Sequence, residues 1–273
     1  MTILQVIVLA LLQGVTEFLP ISSSGHLILV RQLTPWADQL TDGTNQMMFD
    51  VALHVGTLAA VLFYFRHEIG RMSRDWLKTF TSAETTGDTR LAWQVAAGTI
   101  PAALAGLFFH DFVQNTIRHE LGVIFTTTVL FGLLLGIAYT KGKRQYSEYA
   151  LSMTGAVLIG TAQALALIPG TSRSGITITM ALILGLTGTG AARFSFLLSI
   201  PVIVLAGGQQ FVGSLGASAS VNWYALAFGA LAAGLTAYAS IYYLLKLVHR
   251  IGMWPFAGYR LALGAVILMF MWL

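Results

Sequence analysis

Six segments of this chain stay apolar for roughly the 20 residues that an α-helix needs to cross about 30 Å of hydrocarbon. They cover residues 49–65, 91–109, 121–139, 194–211, 223–245 and 258–273. Only a helix or a closed barrel satisfies its own backbone inside lipid, and runs of this length read as transmembrane helices. The composition agrees: of 273 residues 56% are hydrophobic and 10% charged, with a mean hydropathy of +0.75. That excludes a soluble globular domain, a disordered chain, a collagen-like rod and a coiled coil. The absence of cysteine removes disulfide frameworks, thiol catalysis and cysteine metal sites. The formal charge of +4 is spread between the apolar segments, so it reads as a topology signal rather than a nucleic-acid groove. The N-terminus lacks a basic region and a small-residue cleavage site, and is expected to remain in the mature protein.

Two further apolar stretches, 3–30 and 149–186, are interrupted in their middle. The first is broken by Glu17-Phe18-Leu19-Pro20-Ile21-Ser22-Ser23-Ser24-Gly25-His26, the second by Pro169-Gly170-Thr171-Ser172-Arg173-Ser174-Gly175. Polar groups at that depth are costly unless protein surrounds them, so each loop is expected to line a cavity. Both stretches read as re-entrant helix–loop–helix hairpins, with two broken spanning helices as the alternative. The positive-inside rule puts Arg66, Arg71, Arg74 and Lys78, then Lys141, Lys143 and Arg144, then Lys246, His249 and Arg250 in the cytoplasm. The loops 35–46 and 214–222, without Lys or Arg, fall outside. The first hairpin then enters from outside and the second from the cytoplasm. The hairpins also match 150 residues apart: Gln13 with Gln163, Ser22 with Ser172, Ser24 with Ser174, Gly25 with Gly175. The expected fold is an all-α polytopic membrane protein, one domain built as an inverted-topology repeat of about 1–140 and about 147–273, with six spans and two hairpins.

An ionisable residue within a membrane marks function by default, and Glu17 is the first candidate. Gln13 and Glu17 lie four apart on one helix face and can present two oxygens to one cation. One of Ser22, Ser23 and Ser24 is expected to cap the returning helix, whose free N–H groups make an anion site. His26 follows Ser23 by three residues, close enough for a nucleophile and base pair. In the second loop Arg173 stands between Ser172 and Ser174, with Gly170, Thr171 and Gly175 around it. Small residues let the backbone approach a ligand, and a guanidinium grips phosphate through two parallel hydrogen bonds. A plainer reading has the serines only as caps and Glu17 paired with Arg173 merely to tie the hairpins. Asp50 and His54, one turn apart, are expected to be structural or interfacial, and Arg193 to orient its span.

The two loops resemble the signature loops of the bacitracin-resistance family of undecaprenyl-diphosphate phosphatases, and the likeness extends over nearly the whole chain. The family's (Glu or Gln)-x-x-x-Glu motif is matched by Gln13 and Glu17, its serine and histidine by Ser23 and His26, and its loop arginine by Arg173. Glutamine in the first place suggests that the first carboxylate is dispensable or only assists a cation. The resemblance implies a multi-pass protein of the bacterial inner membrane that removes the terminal phosphate of a C55 polyprenyl diphosphate. The lipid monophosphate produced carries peptidoglycan and other envelope polymers, and the activity confers bacitracin resistance. It also implies a divalent cation, Mg²⁺ or Ca²⁺, held in part by Glu17 and Gln13, and a site open to the periplasm. Whether the chain forms a homodimer is left open.

On this reading the diphosphate sits between the loops with its prenyl chain among the spans. Arg173 and the loop around Ser22, Ser24, Gly25, Gly170, Thr171, Ser172, Ser174 and Gly175 bind it, and Ser23 attacks with His26 as base. The alternative has His26 or Glu17 activate water directly. A rival class is a secondary transporter or flippase for an anionic or lipid-phosphate substrate, because paired broken hairpins are a transporter architecture. An acid-phosphatase-like lipid phosphatase is disfavoured by the lack of an Arg-x5-His-x3-Asp run. A purely structural protein has no reason to bury Glu17, His26 and Arg173.

Overall fold

Six long apolar helices form where the six apolar segments lie. The computed structural model describes residues 2–34, 43–81, 85–118, 120–214 and 222–272. In chain order its helices are α1 (Ile3–Thr16), α2 (Ser23–Leu33), α3 (Gly43–Tyr64), α4 (Arg66–Lys78), α5 (Gly87–Phe112), α6 (Leu121–Lys141), α7 (Met153–Ala164), α8 (Arg173–Ile183), α9 (Gly188–Ser214), α10 (Trp223–Ile251) and α11 (Trp254–Met271). No strand occurs among the described residues. The helices long and apolar enough to span a membrane are α3, α5, α6, α9, α10 and α11. Four of them, α3, α5, α9 and α11, start earlier than hydropathy suggests, the last two for local reasons. Thr187 accepts the Gly190 N–H at 3.1 Å and starts α9, and a proline in the first turn of α11 suits a helix start. The loops expected outside lie mostly beyond the described residues, at 35–42 and 215–221.

The interrupted stretches give two short pairs. α1, α2, α7 and α8 have 14, 11, 12 and 11 residues, so each is about 21 Å long or less, short of the roughly 30 Å of hydrocarbon. That length is compatible with re-entrant hairpins. α1 packs on α10 as α7 packs on α5, and α6 lies along α11. Glycine permits the close crossings: a Cβ on Gly56 would lie 2.0 Å from the Ala230 carbonyl oxygen of α10, and one on Gly160 would lie 2.0 Å from that of Gly98 on α5. Small residues at crossings are how membrane helices gain packing where lipid offers no hydrophobic drive.

The basic segment after the first span is itself a helix. α4 turns Glu68 and Met72 inward, and Arg71 pairs with Asp88 at 3.0 Å. Tyr149 donates to the other Asp88 oxygen at 3.0 Å; burial first, then the nearby Glu68 and Asp88 carboxylates, push its hydroxyl up to about 12. Arg193, expected only to orient its span, joins Glu68 at 2.6 Å and Glu148 at 2.5 Å, so that α4 and the segment before α7 are tied to α9. The main core lies beneath the hairpin loops, where Phe18 meets Phe196 edge-on at 5.3 Å and both are fully buried. The two hairpin tips rest on this rigid floor.

Candidate active site

Each hairpin loop ends in the same device. Ser22 and Ser172 adopt φ of 75° and 70°, the left-handed region that non-glycine residues rarely enter. Their hydroxyls accept the N–H of Gly25 at 3.3 Å and of Gly175 at 3.1 Å, capping α2 and α8. The caps use the third amide of each helix, so the N–H groups of Gly25 and Gly175 are taken. Helix geometry leaves the amides of Ser23 and Ser24, and of Arg173 and Ser174, without an intrahelical acceptor. Such N–H groups at the positive ends of two helices are the donors that an anion would take.

The loops meet tip to tip. Ser174 donates to the Leu19 carbonyl at 2.8 Å, and Arg173 Nη2 to Glu17 Oε1 at 3.2 Å. A Cβ on Gly25 would lie 3.7 Å from Gly170 Cα, and Gly170 itself has a φ of 85° with Thr127 and Ile124 packed against it. Behind both loops stands Arg260 of α11, fully buried. It donates to the carbonyls of Thr171 and Gly170 at 2.9 Å each, of Thr127 and Thr128 at 3.1 Å each, and of Pro20 at 3.4 Å. Sequence reading missed this residue. The signal was there, a lone arginine two residues into an apolar span, but the span was read for its length alone.

Glu17 is the hub. Its Oε2 accepts from Ser23 Oγ at 2.8 Å and from Gln13 Nε2 at 2.9 Å, while Oε1 takes Arg173. His54 Nε2 lies 3.9 Å from Oε2, and His54 Nδ1 faces the Asp50 carbonyl at 2.7 Å. His54, expected to be structural or interfacial, lies on the cavity wall, while Asp50 turns to Arg31, at 3.0 Å. The expected Ser23–His26 pair does not form. His26 Nδ1 lies 2.7 Å from the Ser22 carbonyl, which can only accept, so that nitrogen carries the proton. Nε2 then accepts from the Tyr259 hydroxyl at 2.7 Å, and the two rings stack at 5.7 Å. Spacing brought His26 near Ser23, but the ring turns toward α11, and the carboxylate takes the hydroxyl.

A cavity of about 230 Å³ opens at this point. Glu17, Ser22, Ser23, Ser24, Ser172, Arg173, His54, Gln163 and Gln210 give its polar wall. Its apolar wall includes Ala102, Val202 and Ile203, which directly follow Pro101 in α5 and Pro201 in α9. Gly25, Gly170, Thr171, Ser174 and Gly175 do not line it and form the frame behind. The described residues include no cluster of three His, Cys, Asp or Glu. The oxygens suited to a hard cation are the Glu17 carboxylate and the buried, unpartnered Gln13 Oε1 just behind it. Such a sparse set fits a cation that takes most of its ligands from phosphate oxygens.

A family model described as "Bacitracin resistance protein BacA" matches residues 6–266. The chain is similar to the undecaprenyl-diphosphatase of Nitrosococcus oceani, 53% identical over 267 residues and 98% of each chain. It is also similar to the undecaprenyl-diphosphatase of Thioalkalivibrio sulfidiphilus, 51% identical over 273 residues and the whole of both chains. Undecaprenyl-diphosphatase 2 of Stutzerimonas stutzeri is 51% identical over 271 residues and 98% of each.

Proposed function

Because the chain belongs to the family of bacitracin resistance protein BacA, we propose that the cavity between its two loops is where it hydrolyses undecaprenyl diphosphate to undecaprenyl phosphate and inorganic phosphate. The protein is a multi-pass membrane hydrolase. The lipid monophosphate returns to service as the carrier for peptidoglycan and other envelope polymers, and its regeneration underlies bacitracin resistance. The observation that carries the assignment to this cavity is the contact of Ser23 Oγ with Glu17 Oε2 at 2.8 Å, on the cavity wall and beside Arg173.

Glu17 takes the Ser23 proton as Oγ attacks the terminal phosphorus, and the bond to the bridging oxygen breaks, releasing undecaprenyl phosphate. Glu17 gives that proton up to the departing undecaprenyl phosphate; water then attacks the phosphoserine, and Glu17 takes the water's proton and returns it to Ser23 Oγ as the serine–phosphorus bond breaks, freeing inorganic phosphate. Arg173 and the amides of Ser23, Ser24 and Arg173 hold the equatorial oxygens, where charge develops. His26 acts from behind: its ring, fixed by Ser22 and Tyr259, holds the first turn of α2 and so the aim of Ser23. Glu17 and Gln13 would hold the divalent cation, which when bound neutralises phosphate charge. The apolar wall from α5 and α9 takes the start of the prenyl chain. The basic α4 and the Lys141–Arg144 segment support a cytoplasmic side opposite the first hairpin, hence a bacterial inner-membrane protein with its site open to the periplasm. All these groups come from one chain.

The test is phosphate release from undecaprenyl diphosphate by purified protein in detergent, with and without chelator. Ser23→Ala and Arg173→Ala should each lose on the order of a hundredfold or more, and the wild type should form an acid-stable phosphoenzyme. A Ser23→Ala variant that keeps substantial turnover would refute serine attack and leave Glu17 or His54 activating water.

A further inference from the structure

Gln163 of α7 lies on the cavity wall and is only 2% exposed, yet neither Oε1 nor Nε2 has a hydrogen-bond partner. Other residues with an unpartnered atom, such as Gln13, Gln94 and Glu68, bond through their remaining polar atom. Among the described residues, Gln163 is the one whose buried amide is wholly unanswered. A buried polar group in that state is costly and calls for a partner from elsewhere.

The sequence explains why the protein offers none. Gln13, which stands 150 residues earlier, spends its Nε2 on Glu17, one helical turn on. The residue one turn on from Gln163 is Leu167, also on the cavity wall. The same amide therefore has a carboxylate four residues on in one hairpin and a leucine four residues on in the other. In the first hairpin it orders a charged residue; in the second it is left to the contents of the cavity.

Resting on the reading that the cavity holds the lipid diphosphate, we propose that Gln163 is a substrate-binding residue whose Nε2 donates to a phosphate oxygen of the diphosphate head. A neutral amide suits the place. It adds a donor to those of Arg173 and the helix amides without a second positive charge to compete for Glu17. Because the bond exists before and during attack, its loss shows in KM more than in kcat.

The experiment measures kcat, KM and thermal melting in detergent for wild type, Gln163→Leu and Gln163→Glu, with undecaprenyl diphosphate as substrate. Gln163→Leu keeps the shape and removes the unanswered amide, so its melting temperature should equal or exceed that of wild type. Its kcat/KM should fall roughly ten- to hundredfold, mainly through KM, as expected for one hydrogen bond to a charged oxygen. Gln163→Glu, repelled by phosphate and by Glu17, should fall further. An unchanged KM in Gln163→Leu, or a lowered melting temperature, would overturn the proposal, the latter by showing a structural amide. Wild-type protein that releases no phosphate would instead refute the reading of the cavity itself.

Discussion

Replacing Arg260 should uncouple the two hairpins without touching a reacting atom. The guanidinium is fully buried, and the described residues give it no carboxylate partner; its charge is answered by five carbonyl oxygens. Those of Thr127 and Thr128 belong to α6 and keep their helical partners. Those of Pro20, Gly170 and Thr171 lie in the loops. Arg260→Leu leaves these three without their donor in a buried setting, at about 1–2 kcal/mol each, so a destabilisation of roughly 3–6 kcal/mol is expected. At about 2 °C per kcal/mol for a chain of this size, the melting temperature should fall on the order of 6–12 °C. Arg260→Lys retains the charge but has three donors on a point-like head, and no rigid fork to reach carbonyls on three elements. It should recover much of the melting temperature and little of the activity, since a shift of about 1 Å at a loop tip can cost about a hundredfold in rate. Thermal melting read together with kcat/KM for both variants is the assay. If Arg260→Leu melts and turns over like wild type, Arg260 does not staple the loops and the reasoning fails.

Three further outcomes are expected. Tyr259→Phe removes the donor to His26 Nε2 and should cost about 1–2 kcal/mol in stability and no more than roughly tenfold in kcat/KM; a loss as large as that of Ser23→Ala would instead assign the pair a proton-transfer role. Gly160→Ala places a methyl group 2.0 Å from the Gly98 carbonyl oxygen and should destabilise by about 3 kcal/mol or more. Gly106→Ala on the same partner helix, α5, meets nothing within 4 Å and should be neutral or slightly stabilising in a parallel melt. Arg193→Gln leaves Glu68 and Glu148 without their shared cation and should cost about 1–3 kcal/mol, less than a fully buried pair because solvent reaches the guanidinium; an unchanged melt would show that α4 is held by packing alone.

Hydropathy alone located the six spans, because in lipid the length of an apolar run and the length of a helix are set by the same thickness. The break points of the two interrupted stretches were legible for the same reason, and with them Glu17 and Arg173, charges where charge is expensive. Partnership was not legible. The bonds that define the site join residues 156, 233 and 240 positions apart, and nothing in local spacing says which helix a ring or guanidinium will face. His26 is the clearest case: its distance from Ser23 along the helix was right, but its orientation was decided by Tyr259 on α11. His54, expected with Asp50 to be structural or interfacial, is another: only the packing of α3 brings its Nε2 to 3.9 Å from Glu17. Arg260 hid in the opposite way, as a charge tolerated in an apolar run by carbonyls that the sequence does not advertise.

The two serine caps have one more consequence. They are the same turn in the same strained conformation, and the residue that each one presents next is Ser23 in one loop and Arg173 in the other. Two hydroxyls there would give two competing nucleophiles with no counter-charge; two guanidiniums would give a tight trap for phosphate with nothing to release it. On the mechanism proposed above, catalysis comes from a broken likeness: one backbone mould, used twice, in which a single side chain differs between attacker and anchor.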